Sequence, residues 1–344
     1  MAAAAYDDTL FTACRENDVS TVRNLLPRTS IREINRLGSD GQACLHIAAS
    51  CGYRDLIELL LEHGALRQTR DRDNRTCVDV AKNEEVMEAF GRQPEAVVER
   101  FSADANSYEQ INWIFGQDKA EAFSLAIHCG CVKRRGVSET VKKIEDAKFI
   151  PTDDESKEGK LLRYFLNEAR EQNDPTYLLR IYTIEGIFYA TINDYMASGK
   201  SKEVFKKLCH GWSGYYTGCI MENPALRDYY FMGVTYRGMV IDREAANQYV
   251  KGVVIANKAF QSSSKLTNVA LKFAEKKQRI LGRVSVLIQY TIKDSKAALD
   301  IRSLSEFPQE EEVLLVPGIL FKIDYVDSSL EPYRVHARQL LLNH

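Results

Sequence analysis

No apolar run in this 344-residue sequence approaches the ~20 residues that a membrane-spanning helix needs. Net charge is nearly absent too. There are 46 Lys and Arg against 48 Asp and Glu, a formal charge of -2. So balanced a chain offers no basic field for a nucleic acid or an anionic membrane, and no DNA- or RNA-binding signature is found. The start, MAAAAYDD, lacks the basic segment and apolar core of a secretory signal. The tail, RVHARQLLLNH, lacks the hydrophobic end of a lipid-anchor signal. A cytoplasmic location without membrane or nucleic-acid partners is therefore expected. The eight cysteines (Cys14, Cys44, Cys51, Cys77, Cys129, Cys131, Cys209 and Cys219) have no framework spacing, and reduced, mostly buried thiols are expected. HCGC, from His128 to Cys131, has no second ligand pair at matching spacing, so no metal site is assigned. There is no G-x-G-x-x-G in a βαβ frame, which argues against a dinucleotide dehydrogenase.

What the sequence does hold begins with a repeat. SDGQACLHIAASCGYRDLIELLLEHGA aligns with RDNRTCVDVAKNEEVMEAF, matching Asp40 to Asp73, Cys44 to Cys77 and Ala48 to Ala81, a period of 33. Small Ala48 and Ala49 let two helices approach. Leu56, Ile57, Leu59, Leu60 and Leu61 make an apolar second helix, which Gly64 ends. An earlier, degenerate copy is DTLFTACRENDVSTVRNLLP, in which Ala13 matches Ala48. The stretch resembles ankyrin repeats, whose period is about 33 residues. QACLH carries Ala and Cys where the family usually has Thr and Pro, and His46 in it is read as a structural bond between neighbouring repeats. The resemblance implies an all-α arm, residues 6–90, that binds a protein partner and does no chemistry. About two and a half repeats are few to stand alone, so the arm is expected to lean on the domain C-terminal to it.

Residues 91–154 read as a polar linker, GRQPEAVVERFSADANSYEQ, then a helix around AEAFSLAIHCG ended by Gly130, then an acidic loop, PTDDESKEGK. From Leu161 the period is helical, with Leu161, Leu162, Phe165, Leu166 and Ala169 on one face. Short β-rich runs come next: FMGVTYRGMVI, VVIANKAFQSSS, RVSVLIQYTI, AALDI, EEVLLVPG and GILFKIDYV. Helices first and strands after argue for an α+β domain, residues 155–340.

Three strand elements carry polar groups. VTYRGMV sets Arg237 in an apolar strand just before Gly238; such an arginine either snorkels from an edge or clamps a phosphate. FQSSSK places Ser262, Ser263 and Ser264 after an apolar run, which alone is a loop. EEEVLL crowds Glu310, Glu311 and Glu312, like charges that repel, before an apolar strand. As a strand, this run would turn Glu310 and Glu312 to one face and Glu311 to the other, toward water.

In this order the three elements resemble the R-S-E signature of the arginine-type mono-ADP-ribosyltransferases, which clostridial binary toxins and vertebrate cell-surface transferases share. The match rests on Tyr236-Arg237-Gly238, Phe260 with Ser262 and Ser264, and Glu310 with Glu312. YLLRIYTIEGIFYATIND is similar to the family's helical half. The resemblance implies a helical half followed by a β-sandwich-like core. It also implies an NAD(P)+–protein-arginine ADP-ribosyltransferase that uses NAD as co-substrate and no prosthetic group. Arg237 would grip the pyrophosphate and Gly238 the nicotinamide amide. Ser262, with Ser264 nearby, would position the ribose and Glu312. Glu312 would stabilise an oxocarbenium-like transition state. Glu310 would take the proton of the acceptor guanidinium. SEFPQ would meet the target protein, with Phe307 either a contact or packing. The cell-surface members carry a signal and a lipid anchor, so the reading here is cytoplasmic. Two alternatives remain: an NAD glycohydrolase, which shares every NAD contact, and an inactive ankyrin interaction protein.

Overall fold

The computed structural model describes residues 2–91, 113–128, 133–148, 156–184, 187–197, 207, 209–221, 223–275 and 282–341. Cys129, Gly130 and Cys131 of the HCGC motif, residues 92–110 of the expected linker and the first half of the acidic stretch, 151–155, lie outside them; the second half of that stretch, read as loop, enters a helix at Lys157.

The N-terminal quarter is a stack of short helices: α1 (Ala2–Arg15), α2 (Val19–Leu25), α3 (Ile31–Ile34), α4 (Cys44–Cys51), α5 (Arg54–Glu62) and α6 (Glu84–Ala89). Local chemistry sets their ends. Asp18 caps α2 by accepting from the Thr21 N–H, Ser30 and Glu33 form a reciprocal box at α3, and Asn83 caps α6. Ala48 and Ala49 are fully buried, as the close approach of α4 to its neighbours requires. The third copy departs from the pattern: residues 77–80 form turns where a first helix would stand. His46 is buried, accepts at Nδ1 from the Ala43 N–H, and its Nε2 donates to the Arg75 carbonyl of the next repeat at 3.0 Å. That is the inter-repeat bond its position suggested. Burial holds the imidazole below its ordinary pKa, only partly offset by the Arg75 carbonyl and the Asp71 charge.

The rest of the chain builds one larger core. Its helices are α7 (Gln117–Ala126), α8 (Val137–Asp146), α9 (Lys157–Gln172), α10 (Thr176–Thr183), α11 (Ile187–Ala197), α12 (Trp212–Ile220), α13 (Arg243–Ala246) and α14 (Thr267–Glu275). Its strands are β1 (Trp113–Phe115), β2 (Gly233–Asp242), β3 (Val254–Asn257), β4 (Gln261–Ser264), β5 (Arg283–Ile292), β6 (Ala298–Asp300), β7 (Glu312–Leu315), β8 (Leu320–Asp327) and β9 (Tyr333–Gln339). The apolar face read from Leu161 is the buried face of α9, with Leu161, Leu162, Phe165, Leu166 and Ala169 all in the core. Fold class is therefore helical repeats followed by an α+β unit.

Two strands were not legible as such. Trp113–Phe115, left within the 91–154 segment, is an edge strand on β3, and Trp113, Ala120, Phe123 and Ile127 join the larger core. Tyr333–Gln339 lies parallel to β5 in mid-sheet, burying Tyr333, Val335, Ala337 and Gln339 on alternate positions.

The strand order is β1-β3-β8-β9-β5-β2-β4-β7-β6. One joint in this sheet matters most. β2 runs beside β5 for ten residue pairs, but meets β4 at a single pair, Tyr236 with Ser264. Beyond that pair the two strands are tied by side chains, Thr235 to Ser263 and to the Ser264 carbonyl, and a pocket is lined from both strands at this joint.

The repeats are docked on this unit. Leu66 belongs to the larger core, and Ile31 packs on it. Gly64 has φ +93, and a Cβ there would press on Ile31 and approach Leu161 of α9, so glycine serves both the turn and the junction. Arg32 pairs with Glu168 and Glu171 of α9.

Candidate active site

Arg237, Gly238, Ser262, Ser264, Glu310 and Glu312 line one pocket, together with Tyr236, Ser263, Val269, Ala270 and Phe273. Arg237 is 8% exposed, with Nη1 donating to the Ser262 carbonyl at 2.6 Å. The guanidinium thus bridges β2 and β4 beyond their one shared pair. Gly238 sits under α14. A Cβ there would fall 1.8 Å from the Ala270 carbonyl oxygen, so glycine lets the helix cross the strand; the close approach is to protein backbone.

The serines divide. Ser263 Oγ donates to the Val313 carbonyl at 2.8 Å and accepts from Thr235, stitching β2, β4 and β7. Ser264 Oγ donates to the Glu310 carbonyl at 2.7 Å and accepts from the Leu266 N–H, so it builds the turn that carries Glu310. Ser262 Oγ is buried at the pocket and, among the described residues, makes no hydrogen bond. It does not hold Glu312, the role expected for it. That contact belongs to Ser305, whose Oγ lies 3.3 Å from Glu312 Oε2.

The acids converge by a route other than strand alternation. Glu310 closes a 3-10 turn, Pro308–Glu310, and the strand starts only at Glu312. Between them Glu311 adopts φ 45, a left-handed kink. The kink turns Glu311 out of the pocket, where it pairs with Lys265 and Arg302, both at 3.1 Å. Glu311 was expected to point away into water; it points away into an ion-pair network. Burial pulls Lys265 down, but hydrogen bonds to Asp300 and Glu311 outweigh it and hold the ammonium above its ordinary pKa. Those cations offset the repulsion of three consecutive carboxylates. Glu312 is 3% exposed and lies near the buried Tyr216, whose hydroxyl burial pushes well above its usual pKa, Cys219 and Glu312 adding to the shift. Tyr216 is thus a neutral donor, to the Leu178 carbonyl at 3.1 Å.

Sequence reasoning missed Ser305 and the apolar wall of Val269, Ala270 and Phe273 on α14. The wall was findable from its i, i+1, i+4 spacing. Ser305 carried no spacing signal. Phe307, left open between contact and packing, is buried beneath the Arg67 guanidinium. Among the described residues there is no cluster of three or more metal-ligating side chains, and no helix is long and apolar enough to cross a membrane.

Two carboxylates, a strand guanidinium and a serine hydroxyl thus line one apolar-walled cleft, groups of the kinds that can pair with a phosphate and stabilise a developing positive charge. Residues 8–92 match ankyrin repeats in three copies, and residues 230–343 match the ADP-ribosyltransferase exoenzyme family. The chain carries ankyrin repeats followed by an ADP-ribosyltransferase domain.

Among curated proteins, it is 29% identical over 97 residues to the putative NAD(+)–arginine ADP-ribosyltransferase Vis of Vibrio splendidus, across 28% of this chain and 39% of that protein. It is 37% identical over 75 residues to the tyrosine-protein kinase HTK16 of Hydra vulgaris, across 22% of this chain and 10% of that protein. The chain thus spans well under half the length of these relatives. Among solved structures, XopAI, a type III effector of Xanthomonas axonopodis pv. citri, aligns with TM-score 0.44 at 15% identity, over 65% of this chain and 97% of that one. Vis bound to agmatine aligns with TM-score 0.39 at 21% identity, over 56% of this chain and 88% of that one.

Proposed function

We propose that this pocket cleaves NAD at the nicotinamide–ribose bond and passes ADP-ribose to a protein arginine. The observation that carries the reading is the convergence of Arg237, Ser262, Glu310 and Glu312, from three strands and a turn, on one pocket. Arg237 grips the pyrophosphate with its planar fork. Ser262 Oγ meets the nicotinamide ribose. As the C–N bond breaks, nicotinamide leaves with the bonding pair and the ribose carbon becomes oxocarbenium-like. Glu312, desolvated and oriented by Ser305, bonds the ribose 2′-hydroxyl and stabilises that charge. An acceptor guanidinium nitrogen then forms the new bond to the ribose carbon and gives its proton to Glu310. Help is needed because a guanidinium has a pKa above about 12. Glutamate at this first acid position favours arginine over other acceptors. The ankyrin repeats recruit a protein partner that bears the arginine, in the cytoplasm.

The test is incubation with labelled NAD and a small guanidino acceptor such as agmatine, reading label transfer beside free ADP-ribose. Transfer supports the reading. Free ADP-ribose alone makes the protein an NAD glycohydrolase, and intact NAD makes it an inactive interaction protein.

A further inference from the structure

We propose that the ankyrin arm is part of the catalytic apparatus. Gln68 and Arg67 are positioning residues that hold the loop 305–312 and, through Ser305, set the carboxylate of Glu312. The proposal rests on the transferase reading of the pocket.

The contacts form a short chain. Gln68 Nε2 donates to the Ser305 carbonyl at 2.6 Å. The hydroxyl of that same Ser305 lies 3.3 Å from Glu312 Oε2 and accepts from the Phe307 N–H at 3.1 Å. One residue is therefore tied to the arm by its backbone and to the acid by its side chain. Next to Gln68, Arg67 holds the adjoining stretch of loop. Its Nη1 lies 3.6 Å from Glu306 Oε2, and its guanidinium carbon sits 4.8 Å from the Phe307 ring centroid. Arg67 Nε and Gln309 Nε2 both donate to the Phe90 carbonyl, at 3.1 and 3.2 Å, so the arm also fixes the residue directly before Glu310. From the catalytic side, the Glu306 N–H donates to Thr183 Oγ1.

Burial separates this from casual surface packing. Arg67 and Gln68 are 7% and 5% exposed, and Ser305, Glu306 and Phe307 are 0%, 4% and 3% exposed. An Arg–Glu pair taken out of water gains little stability over an apolar pair, and its best-attested use is to enforce one geometry. The geometry enforced here is that of the loop whose C-terminal end carries Glu310 and Glu312. Arg32 with Glu168 and Glu171 offers an internal control, since that pair joins the same two units on α9 and touches no residue of the loop.

The experiment uses the full chain. Gln68→Met keeps length and removes the donor. The expected result is a kcat for NAD consumption about tenfold lower, the size of one displaced stabilising interaction, about 1.4 kcal/mol. KM for NAD should stay within about twofold, because Arg237 is not contacted. Hydrogen exchange across 305–312 should quicken. Arg32→Met should leave kcat and loop exchange at wild-type values. Gln68→Glu serves as a second variant and as a rescue. Its carboxylate opposes the Ser305 carbonyl, whereas its protonated form donates to it, so its rate relative to wild type should rise as pH falls. Burial raises the pH at which this recovery begins. An unchanged kcat in both Gln68 variants, or an equal loss in Arg32→Met, overturns the proposal. If the wild type consumes no NAD, the transferase reading fails by itself. Loop exchange then decides, and unchanged exchange in Gln68→Met overturns the coupling.

Discussion

Arg237 Nη1 reaches the carbonyl of Ser262 at 2.6 Å, across two strands that share a single residue pair. The arginine read as a phosphate grip therefore also spans the β2–β4 joint that lines the pocket. A lysine keeps the charge but loses the fork. Arg237→Lys should weaken NAD binding at least about tenfold, or about 1.4 kcal/mol. Calorimetry on a variant whose circular dichroism matches wild type checks this; unchanged affinity would remove Arg237 from the binding site.

Glu310 and Glu312 should separate into acceptor and donor roles. Glu312→Gln removes the charge that faces the oxocarbenium, and both transfer and NAD hydrolysis should fall by about 10² to 10³. Glu310→Gln should lose transfer to a guanidino acceptor while NAD hydrolysis persists. Glu311→Gln should keep activity within about threefold, because its carboxylate is held by Lys265 and Arg302 outside the pocket, and a partly exposed pair is worth at most about 1 kcal/mol. Near wild-type transfer by Glu310→Gln would refute the division of labour.

Gly238→Ala should be damaging through packing. The added methyl would meet the Ala270 carbonyl at 1.8 Å and the Ala274 nitrogen at 3.0 Å, and backbone cannot yield as a flexible side chain can. Forced separation of α14 from β2 should cost about 2 kcal/mol or more, readable in the denaturant midpoint. A shift below about 0.5 kcal/mol would mean that the helix does not sit where the pocket needs it.

His46 gives the repeat arm a pH dependence whose sign comes from burial. Its folded pKa is lowered from 6.5, so the unfolded chain takes up a proton first as pH falls. Its contribution is fully present above about pH 6.5 and is lost as pH drops through the lowered folded value. A thermal melt of His46→Asn should show less loss of stability between neutral and acidic pH than wild type. An imidazole titration by NMR with a midpoint above 6.5 would contradict the burial argument.

How much of this was legible depends on how far apart the interacting residues lie. The buried face of α9 arises between near neighbours, and the ankyrin period, the buried Ala48 and Ala49 and the structural role of His46 arise within or between successive repeats. Periodicity and turn chemistry report such contacts directly. The R-S-E order was legible because strand residues and their flanks are contiguous in the chain. Local pattern misjudged the acids. Strand alternation predicted the right partners for the wrong reason, since a left-handed residue at Glu311 does what alternation was credited with. Alternation along 333–339 and the Trp113–Phe115 edge went unread, because a strand that short or that mixed is defined by its neighbour and not by its own residues.

The sequence by itself determined the two kinds of unit and the residue types of the pocket, since period and motif are properties of contiguous chain. Tertiary structure alone decided that Ser305 holds Glu312, that Gly238 serves a helix crossing, and that Gln68 reaches a loop 237 positions away. Hydrogen bonds between distant segments exist only once the chain has closed the loops between them, and no spacing rule encodes that closure.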